Sequence, residues 1–277
     1  MPASRNRLEQ LARLGYAARG AVSLIVGGLA LLAAFGQGGE ATGSKGALQA
    51  LMAQPLGEVL LAVVALGLFG FALWRALQAV LDADGEGRTA KALAVRAGRA
   101  LTSVTYVSLG IFALGLIFAT GRGGDEERSA QDWTAWLLAQ PFGRWLVAGA
   151  GLAIIGAAMG MAAKAWTASF KRHLSCGPAA SWVIPLGRAG FAARAVVFLV
   201  VGGFLLVAAW QTDPSEARGL GGALEAVQQQ PYGRAMFALV ALGLAAFGAF
   251  NFAQARFRRI ATPEAGEIAA AARARTA

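Results

Sequence analysis

The chain has 277 residues, of which 57% are hydrophobic and only 14% charged, and its mean hydropathy is +0.54. An average soluble domain carries roughly 25% charged residues, so this composition excludes the common soluble classes. The formal net charge of +10 would suit nucleic-acid binding, but the lysines and arginines lie between apolar runs instead of forming one basic surface. Nucleic acid is therefore not an expected partner.

Six segments are long and apolar enough to cross a bilayer, which takes about 20 mostly apolar residues. In chain order they are residues 17–35, 57–80, 100–119, 143–163, 190–210 and 233–252. None of them contains a proline or a strict alternation of apolar and polar residues, so helices are predicted and barrel strands are not. We therefore expect an all-α, polytopic membrane protein with six transmembrane helices.

Two short motifs recur along the chain. Gly-Tyr-Ala-Ala-Arg at 15–19 matches Gly-Phe-Ala-Ala-Arg at 190–194, and the weaker middle copy begins Gly-Arg-Ala at 98–100. A second motif, Gln-Pro-hydrophobic-Gly, precedes each even-numbered span. The residues that define the repeats are Gly15, Gly98, Gly190, Pro55, Pro141 and Pro231. Because proline favours the first turn of a helix, we expect each of these prolines to open the helix that follows it.

Each repeat holds two spans, so successive copies enter the membrane from the same side and are parallel instead of inverted. We predict a bundle of three tandem two-helix hairpin repeats with threefold pseudosymmetry. The repeats cover residues 11–83, 94–170 and 184–260 and form one membrane domain, between an N-terminal segment (1–10) and a C-terminal tail (261–277). The glycines of the spans are interpreted as positions where helices pack closely.

The distribution of positive charge predicts the orientation. Most lysines and arginines lie in the N-terminal segment, the second and fourth connections and the C-terminal tail, while the other three connections carry few. Connections rich in Lys and Arg stay on the cytoplasmic side of a membrane. We predict a multi-pass protein of the cell membrane with both termini in the cytoplasm.

The repeated opening resembles that of a family of bacterial membrane proteins grouped as domain of unknown function 1206. Members carry three two-helix repeats with Gly-aromatic-x-Ala-Arg-type openings, as at 15–19 and 190–194 here, and the resemblance extends over about residues 11–260. The middle repeat departs from the pattern at Thr102, where the arginine would fall. The resemblance implies the six-helix fold in a bacterial cytoplasmic membrane; the family has no assigned activity, so it implies no mechanism.

Reactive side chains are scarce in this sequence. His173 and Cys176 are the only histidine and cysteine, and both lie in a basic connection. The 15 aspartates and glutamates lie in connections, tails or span edges, whereas ion-coupled carriers hold a carboxylate within the membrane. We predict no catalytic residues, no metal site and no cofactor, and we expect that the protein is not an enzyme.

The third span is the most polar of the six, and its candidate residues are Thr102, Thr105, Tyr106 and Ser108. The first three are spaced three and four apart, so they share one helix face. They either form hydrogen bonds between helices or line a polar path near the centre of the bundle.

Other polar residues recur at matching repeat positions. Arg19 and Arg194 open their spans, and Arg75 matches Asn251; these four either reach lipid phosphate or form an anion site. Glu58, Arg144 and Arg234 follow the Gln-Pro motif and form a candidate outer ring.

Two functional hypotheses follow from these features. The favoured one is a non-enzymatic scaffold, modulator or lipid-organising protein, with the bilayer and its anionic head groups as partners. A membrane-protein partner or a second copy of the chain is compatible with this reading. The alternative is an uncoupled channel or facilitator with a path at the centre of the three repeats.

Overall fold

The computed structural model describes residues 2–37, 39, 42–81, 87, 89–118 and 126–258, without the side chains of residues 2–8, 91 and 126. This part of the chain is helical and contains no β-strand, which confirms the all-α fold class. The helices are α1 (Pro2–Ala34), α2 (Ser44–Met52), α3 (Gly57–Leu81), α4 (Ala90–Ile117), α5 (Glu126–Leu138), α6 (Gly143–Thr167), α7 (Ala180–Gln211), α8 (Leu220–Gln228) and α9 (Gly233–Phe257). The predicted tail, 261–277, lies outside the described residues.

Six of these helices (α1, α3, α4, α6, α7 and α9) are long and apolar enough to span a membrane, as predicted. Helices α1, α4 and α7 begin well before the predicted spans, and α7 contains Pro185 in this extension. Each odd-numbered span is followed by one of the short helices α2, α5 and α8. We call the end of the bundle that holds these helices the short-helix end, and the opposite end, where α1 begins and α9 ends, the termini end.

Successive repeats pack against each other in one register. The most extensive helix interfaces are α3 with α4, α6 with α7, and α9 with α1. At corresponding positions of these interfaces a glycine leaves room for the neighbouring helix: Gly110 packs on the ring of Phe69, Gly202 on the side chain of Ile155, and Gly27 on the backbone of Ala245. The long helices therefore follow one another around a ring, and the last repeat contacts the first.

Within repeats, the packing differs between copies. In the first repeat α1 packs on α3 through Gly15 against Phe71, and in the third repeat α7 packs on α9 through Gly190 against Phe247. In the middle repeat α4 and α6 share at most marginal contact within the described chain. The ring is thus open at one place, and threefold pseudosymmetry of the whole bundle stays a prediction.

The side chains at one position explain this opening. Ala18 and Ala193 are only 6% and 7% exposed because they fit against Gly67 and Gly243 of the neighbouring helix. The middle repeat has Leu101 at this position, and it is 69% exposed. A leucine cannot enter a contact that accommodates only the Ala-Gly pair, so α4 and α6 stay apart.

The Gln-Pro motif forms a tight turn, which corrects the prediction that its proline opens a helix. The helices of the even-numbered spans (α3, α6 and α9, the even helices; α1, α4 and α7 are the odd helices) begin at the motif glycine, two residues after the proline. The glycine N–H donates to the glutamine carbonyl at 2.7–2.8 Å. The hydrophobic residue between them has a left-handed φ of 61–62°, as the third residue of a type II turn requires. The three hydrophobic residues, Leu56, Phe142 and Tyr232, are strongly exposed.

Exposed aromatic side chains mark both ends of the bundle. Trp133, Trp145 and Trp210 are exposed at the short-helix end, and Trp166 and Trp182 at the termini end. Tryptophan is enriched at the two interfaces of a bilayer. Together with the apolar exposed faces of the long helices, this pattern is compatible with a protein that contacts lipid along its sides.

Candidate functional site

Arginines and phenylalanines alternate inside the bundle. The Cζ atom of Arg75 lies 4.8 Å from the ring centre of Phe71, and Arg19 lies 5.1 Å from the same ring. Arg19 also lies 4.9 Å from the ring of Phe247, and Arg194 lies 4.7 Å from that ring. We call the sequence Arg75–Phe71–Arg19–Phe247–Arg194 the arginine ladder. It joins helices α3, α1, α9 and α7, so it depends on contacts between the first and last repeats.

The ladder is assembled by the close helix packing described above. Gly15 lies against the backbone of Phe71, where a Cβ would come within 2.6 Å of the Phe71 nitrogen. Gly190 holds the same position against Phe247, with a closest approach of 2.6 Å to its Cα. Because α1 and α7 come so near to α3 and α9, the arginines one turn later reach the aromatic rings.

The guanidinium groups of the ladder are only partly satisfied. The Nε atoms of Arg19, Arg75 and Arg194 are buried and have no hydrogen-bond partner, although Nη1 of Arg75 donates to Gln78 at 3.1 Å. Within the described part of the chain, no carboxylate forms a salt bridge with these three arginines. Cation–π stacking contributes about 0.5–2 kcal/mol for each contact, which does not neutralise the charge.

Further cations lie within electrostatic range of the ladder. Arg75 interacts with Arg99 of α4 and with Arg258 just after α9, and both are about nine-tenths buried. Arg258 stacks on the ring of Tyr16 at 5.3 Å. The site therefore gathers positive charge from both ends of the chain and from the middle repeat.

The ladder lies in the half of the bundle nearer the termini end. Arg194 is 17 residues before the end of α7, which places it about 25 Å from the short-helix end at 1.5 Å per residue. A continuous apolar core fills the other half, with buried side chains from five long helices that include Val26, Leu61, Leu109, Val197 and Leu244. The charged region is consequently separated from the short-helix end by apolar packing.

Asn251, the repeat counterpart of Arg75, is fully buried near the ladder. Its Nδ2 donates to the carbonyl of Phe247 at 2.6 Å, and its Oδ1 is buried without a partner. The four predicted lipid or anion contacts are thus placed in one region: three belong to the ladder, and Asn251 lies one turn from it. The assignment of a ligand to them stays a prediction.

The predicted polar path is divided between several environments. Thr102 and Thr105 donate to the carbonyls of Gly98 and Leu101 of their own helix, at 2.7 and 3.0 Å. The ring of Tyr106 faces inward and packs edge-on against Phe71, 4.7 Å between centres. Ser108 is exposed. Only Tyr106 of this set contacts the arginine ladder, where its ring lies 5.8 Å from Arg19.

The predicted outer ring occupies exposed positions in the first turn of each even helix. Glu58, Arg144 and Arg234 form no hydrogen bond or salt bridge with each other in the described chain. Arg144 stacks between Trp145 and Trp210, at 5.9 and 5.5 Å from their rings. These side chains mark the aromatic zone at the short-helix end and lie far from the arginine ladder.

The sequence analysis missed a second set of arginines, one in each repeat. Each lies near the start of an odd helix and donates to the last carbonyls of the preceding even helix in the ring, at 2.6–3.3 Å. They are Arg13 (to Ala255 and Arg256), Arg96 (to Ala79 and Val80) and Arg188 (to Ala165 and Trp166). The sequence indicates this set through a recurring arginine six positions before Arg19, Thr102 and Arg194.

The remaining reactive residues are remote from the ladder or ungrouped. No group of three His, Cys, Asp or Glu side chains suitable for a metal ion occurs among the described residues. Cys176 lies in the connection between α6 and α7, where partial burial raises the pKa of its thiol. What the arginine ladder can do chemically is to bind an anion, because guanidinium groups donate paired hydrogen bonds to phosphate or carboxylate oxygens.

Comparisons with known proteins identify related sequences. The model of the family described as Domain of Unknown Function (DUF1206) matches residues 14–82, 87–168 and 189–258, one match for each repeat. The chain is 37% identical over 247 residues to the uncharacterized protein YxxB of Bacillus subtilis (strain 168), covering 88% of each chain. No solved structure matches it.

Proposed function

This chain belongs to the DUF1206 family, and from that premise we propose that it is a non-enzymatic membrane protein that organises anionic lipid. In this proposal the arginine ladder holds the phosphate of a lipid head group within the half of the bundle nearer the termini end. The three-repeat fold supplies the frame, because the ladder forms where the first and last repeats meet.

This proposal rests on the three ladder arginines, which are only partly exposed, have buried Nε atoms and form no salt bridge with a carboxylate within the described chain. Burial of an unpaired charge is unfavourable, and arginine does not lose its proton to avoid that cost. Three such side chains share two phenylalanine rings in a membrane-spanning region. An anionic group seated on Arg19 and Arg194 would offset the repulsion between them and satisfy the buried Nε–H donors.

The arrangement gives less support to a channel. A conducting path through the centre would need polar groups or water along the whole length of the bundle. The half nearer the short-helix end is filled by buried Val, Leu, Ala and Phe side chains, and the threonine hydroxyls of α4 donate to their own helix. A cationic region that ends at an apolar core is suited to binding.

We further propose that the protein lies in the bacterial cytoplasmic membrane with both termini in the cytoplasm, as the distribution of basic residues predicts. The arginine ladder then faces the inner leaflet. Anionic lipids give that leaflet a negative surface potential, so head groups of the required charge are abundant beside the site.

Thermal unfolding in neutral detergent micelles tests the proposal. A ligand that binds the folded state raises its stability by about 2.7 kcal/mol at 100 times its dissociation constant. We expect phosphatidylglycerol to raise the Tm of the wild type and phosphatidylcholine to leave it unchanged. The double variant Arg19→Gln/Arg194→Gln loses this response, whereas the matched variant Arg144→Gln/Arg234→Gln keeps it. An equal response of both double variants would contradict the proposal.

A further inference from the structure

The open place in the helix ring forms a lateral cleft between α4 and α6. By repeat position, the surfaces that correspond to the packed faces of the other hairpins carry Gly98 and Leu101 on α4 and Ala153, Gly156 and Ala157 on α6, and all five residues are exposed. A Cβ built on Gly98 or Gly156 would meet no heavy atom within 4 Å. We use the name lateral cleft for these two faces and the space between them.

The corresponding surfaces are covered in the other repeats. Counted from the start of each even helix, Ala157 of α6 corresponds to Phe71 of α3 and Phe247 of α9. Both phenylalanines are buried against the odd helix of their own repeat. The middle repeat has a methyl group where the others have an aromatic ring. An aromatic side chain therefore closes this space in the first and third repeats, and the space stays open in the middle repeat.

The lateral cleft leads along α4 to the arginine ladder. Thr102 lies one turn beyond Gly98 on the same face and is the repeat counterpart of Arg19 and Arg194. A short hydroxyl replaces a long cation there. One more turn along the helix, the ring of Tyr106 lies 5.8 Å from Arg19 and within electrostatic range of Arg194.

We propose that a two-chain anionic phospholipid enters the lateral cleft from the bilayer, with its acyl chains between α4 and α6 and its phosphate on Arg19 and Arg194. This inference rests on the proposed head-group binding and adds the route and the class of ligand. The apolar walls suit acyl chains, and the cationic region at their inner edge suits a phosphate, so one amphipathic molecule complements both.

Other occupants complement only one part of this surface. A soluble phosphate would match the arginines but leave the apolar walls uncovered. A second copy of the chain would cover the walls through its own exposed helices, yet its lipid-facing surface is apolar and would leave the arginine charges uncompensated. Charge complementarity therefore favours the phospholipid.

Photolabelling of the full-length protein in phosphatidylcholine nanodiscs tests the inference. The probe is phosphatidylglycerol with a diazirine in one acyl chain, and labelled peptides are mapped by mass spectrometry. We expect label on the cleft faces around residues 98–101 and 153–157 to exceed label on the exposed face of α9 at Leu239 and Leu242. Unlabelled phosphatidylglycerol displaces it, and inorganic phosphate and phosphatidylcholine do not.

A substitution that fills the cleft provides the matched comparison. Ala157→Phe restores the aromatic residue of the other repeats, and Met159→Phe places the same aromatic side chain at an exposed position of the same helix. We expect Ala157→Phe to reduce cleft labelling about tenfold, and Met159→Phe to leave it unchanged. Equal labelling of all three proteins, or displacement of the probe by inorganic phosphate, would overturn entry of a lipid through the cleft.

The two proposals fail in different ways. If Ala157→Phe labels like the wild type while Arg19→Gln/Arg194→Gln still loses thermal stabilisation by phosphatidylglycerol, the cleft route is wrong and head-group binding stands. If the arginine double variant also responds like the wild type, the head-group proposal fails together with the route.

Discussion

At the scale of single residues, Phe247 is the position on which the site most depends. Its ring lies within 5 Å of the guanidinium carbons of both Arg19 and Arg194, and its side chain is 1% exposed. Asn251 holds the same residue from the next turn by donating to its carbonyl. One aromatic ring therefore sets the separation of two cations that come from different repeats.

This dependence predicts a difference between two neighbouring phenylalanines. Phe247→Leu and Phe250→Leu each remove a ring from a buried site and cost about 1 kcal/mol of stability. Phe250 packs against Phe170 and Phe191 and stacks with no arginine of the ladder. We expect Phe247→Leu alone to weaken the thermal stabilisation by phosphatidylglycerol. The contradictory result is an equal loss of lipid response in both variants, measured by thermal unfolding with and without the lipid.

At the scale of helices, the hairpins of the first and third repeats are closed by small residues. Ala18 and Ala193 fit against Gly67 and Gly243, and the contact has no room for a methyl group on either glycine. In the middle repeat Leu101 occupies the equivalent position and the pair of helices is apart. The identity of one side chain thus decides whether a repeat forms a packed hairpin.

A substitution can place in the third repeat the leucine that the middle repeat has at this position. Ala193→Leu forces extra atoms into a filled contact, which costs about 1–3 kcal/mol, and we expect a lower Tm and a larger distance between α7 and α9. Spin labels on these helices measure the distance. Leu101→Ala, at an exposed position, is the control and changes Tm little. A wild-type distance between α7 and α9 in Ala193→Leu would show that size at this position does not control closure.

The sequence predicts the helices and repeats of this structure but not the packing of the middle repeat. The apolar runs and the two motifs contain the six helices and three repeats, and the structure and the family match confirm them. Gly98 aligns with Gly15 and Gly190 in the repeated motif. Its packing also depends on the sizes of Leu101, Ala153 and Ala157, which lie outside that motif. The turn was misjudged because a left-handed Leu56, Phe142 or Tyr232 is uncommon for such side chains.

The candidate site was predictable only in part. Arg19, Arg75 and Arg194 stood out because they recur or lie within apolar segments. Their meeting required the contact of α1 with α9, which joins residues more than 200 positions apart and follows from no local pattern. The two phenylalanines of the ladder could have been found from the sequence, because Phe71 and Phe247 occupy the same position in their repeats.

At the scale of the whole molecule, chemical labelling of Cys176 can measure the orientation of the protein in the membrane and the environment of this thiol. It is the only cysteine and lies at the termini end, in the connection between α6 and α7. Because burial raises the pKa of its thiol, the reactive thiolate is scarce at neutral pH. We expect labelling by a membrane-impermeant maleimide to accelerate only at alkaline pH, above the range in which a free cysteine responds.

The same labelling tests the orientation. We expect no modification of Cys176 in sealed right-side-out vesicles and full modification in inverted ones, both at alkaline pH. A variant with Cys176→Ser and a new cysteine at Ser215, near the short-helix end, is the control and reacts in the opposite pattern. Labelling of Cys176 from the outside of sealed right-side-out vesicles would reverse the proposed orientation and place the arginine ladder in the outer leaflet.

We propose that the arginines where the first and last repeats meet bind an anionic lipid. Native mass spectrometry of the protein released from bilayers of mixed phosphatidylcholine and phosphatidylglycerol tests it most directly. We predict that the wild type and Arg144→Gln/Arg234→Gln retain phosphatidylglycerol selectively, and that Arg19→Gln/Arg194→Gln retains neither lipid in preference. Selective retention of phosphatidylglycerol by Arg19→Gln/Arg194→Gln at the wild-type level would contradict lipid binding by these arginines.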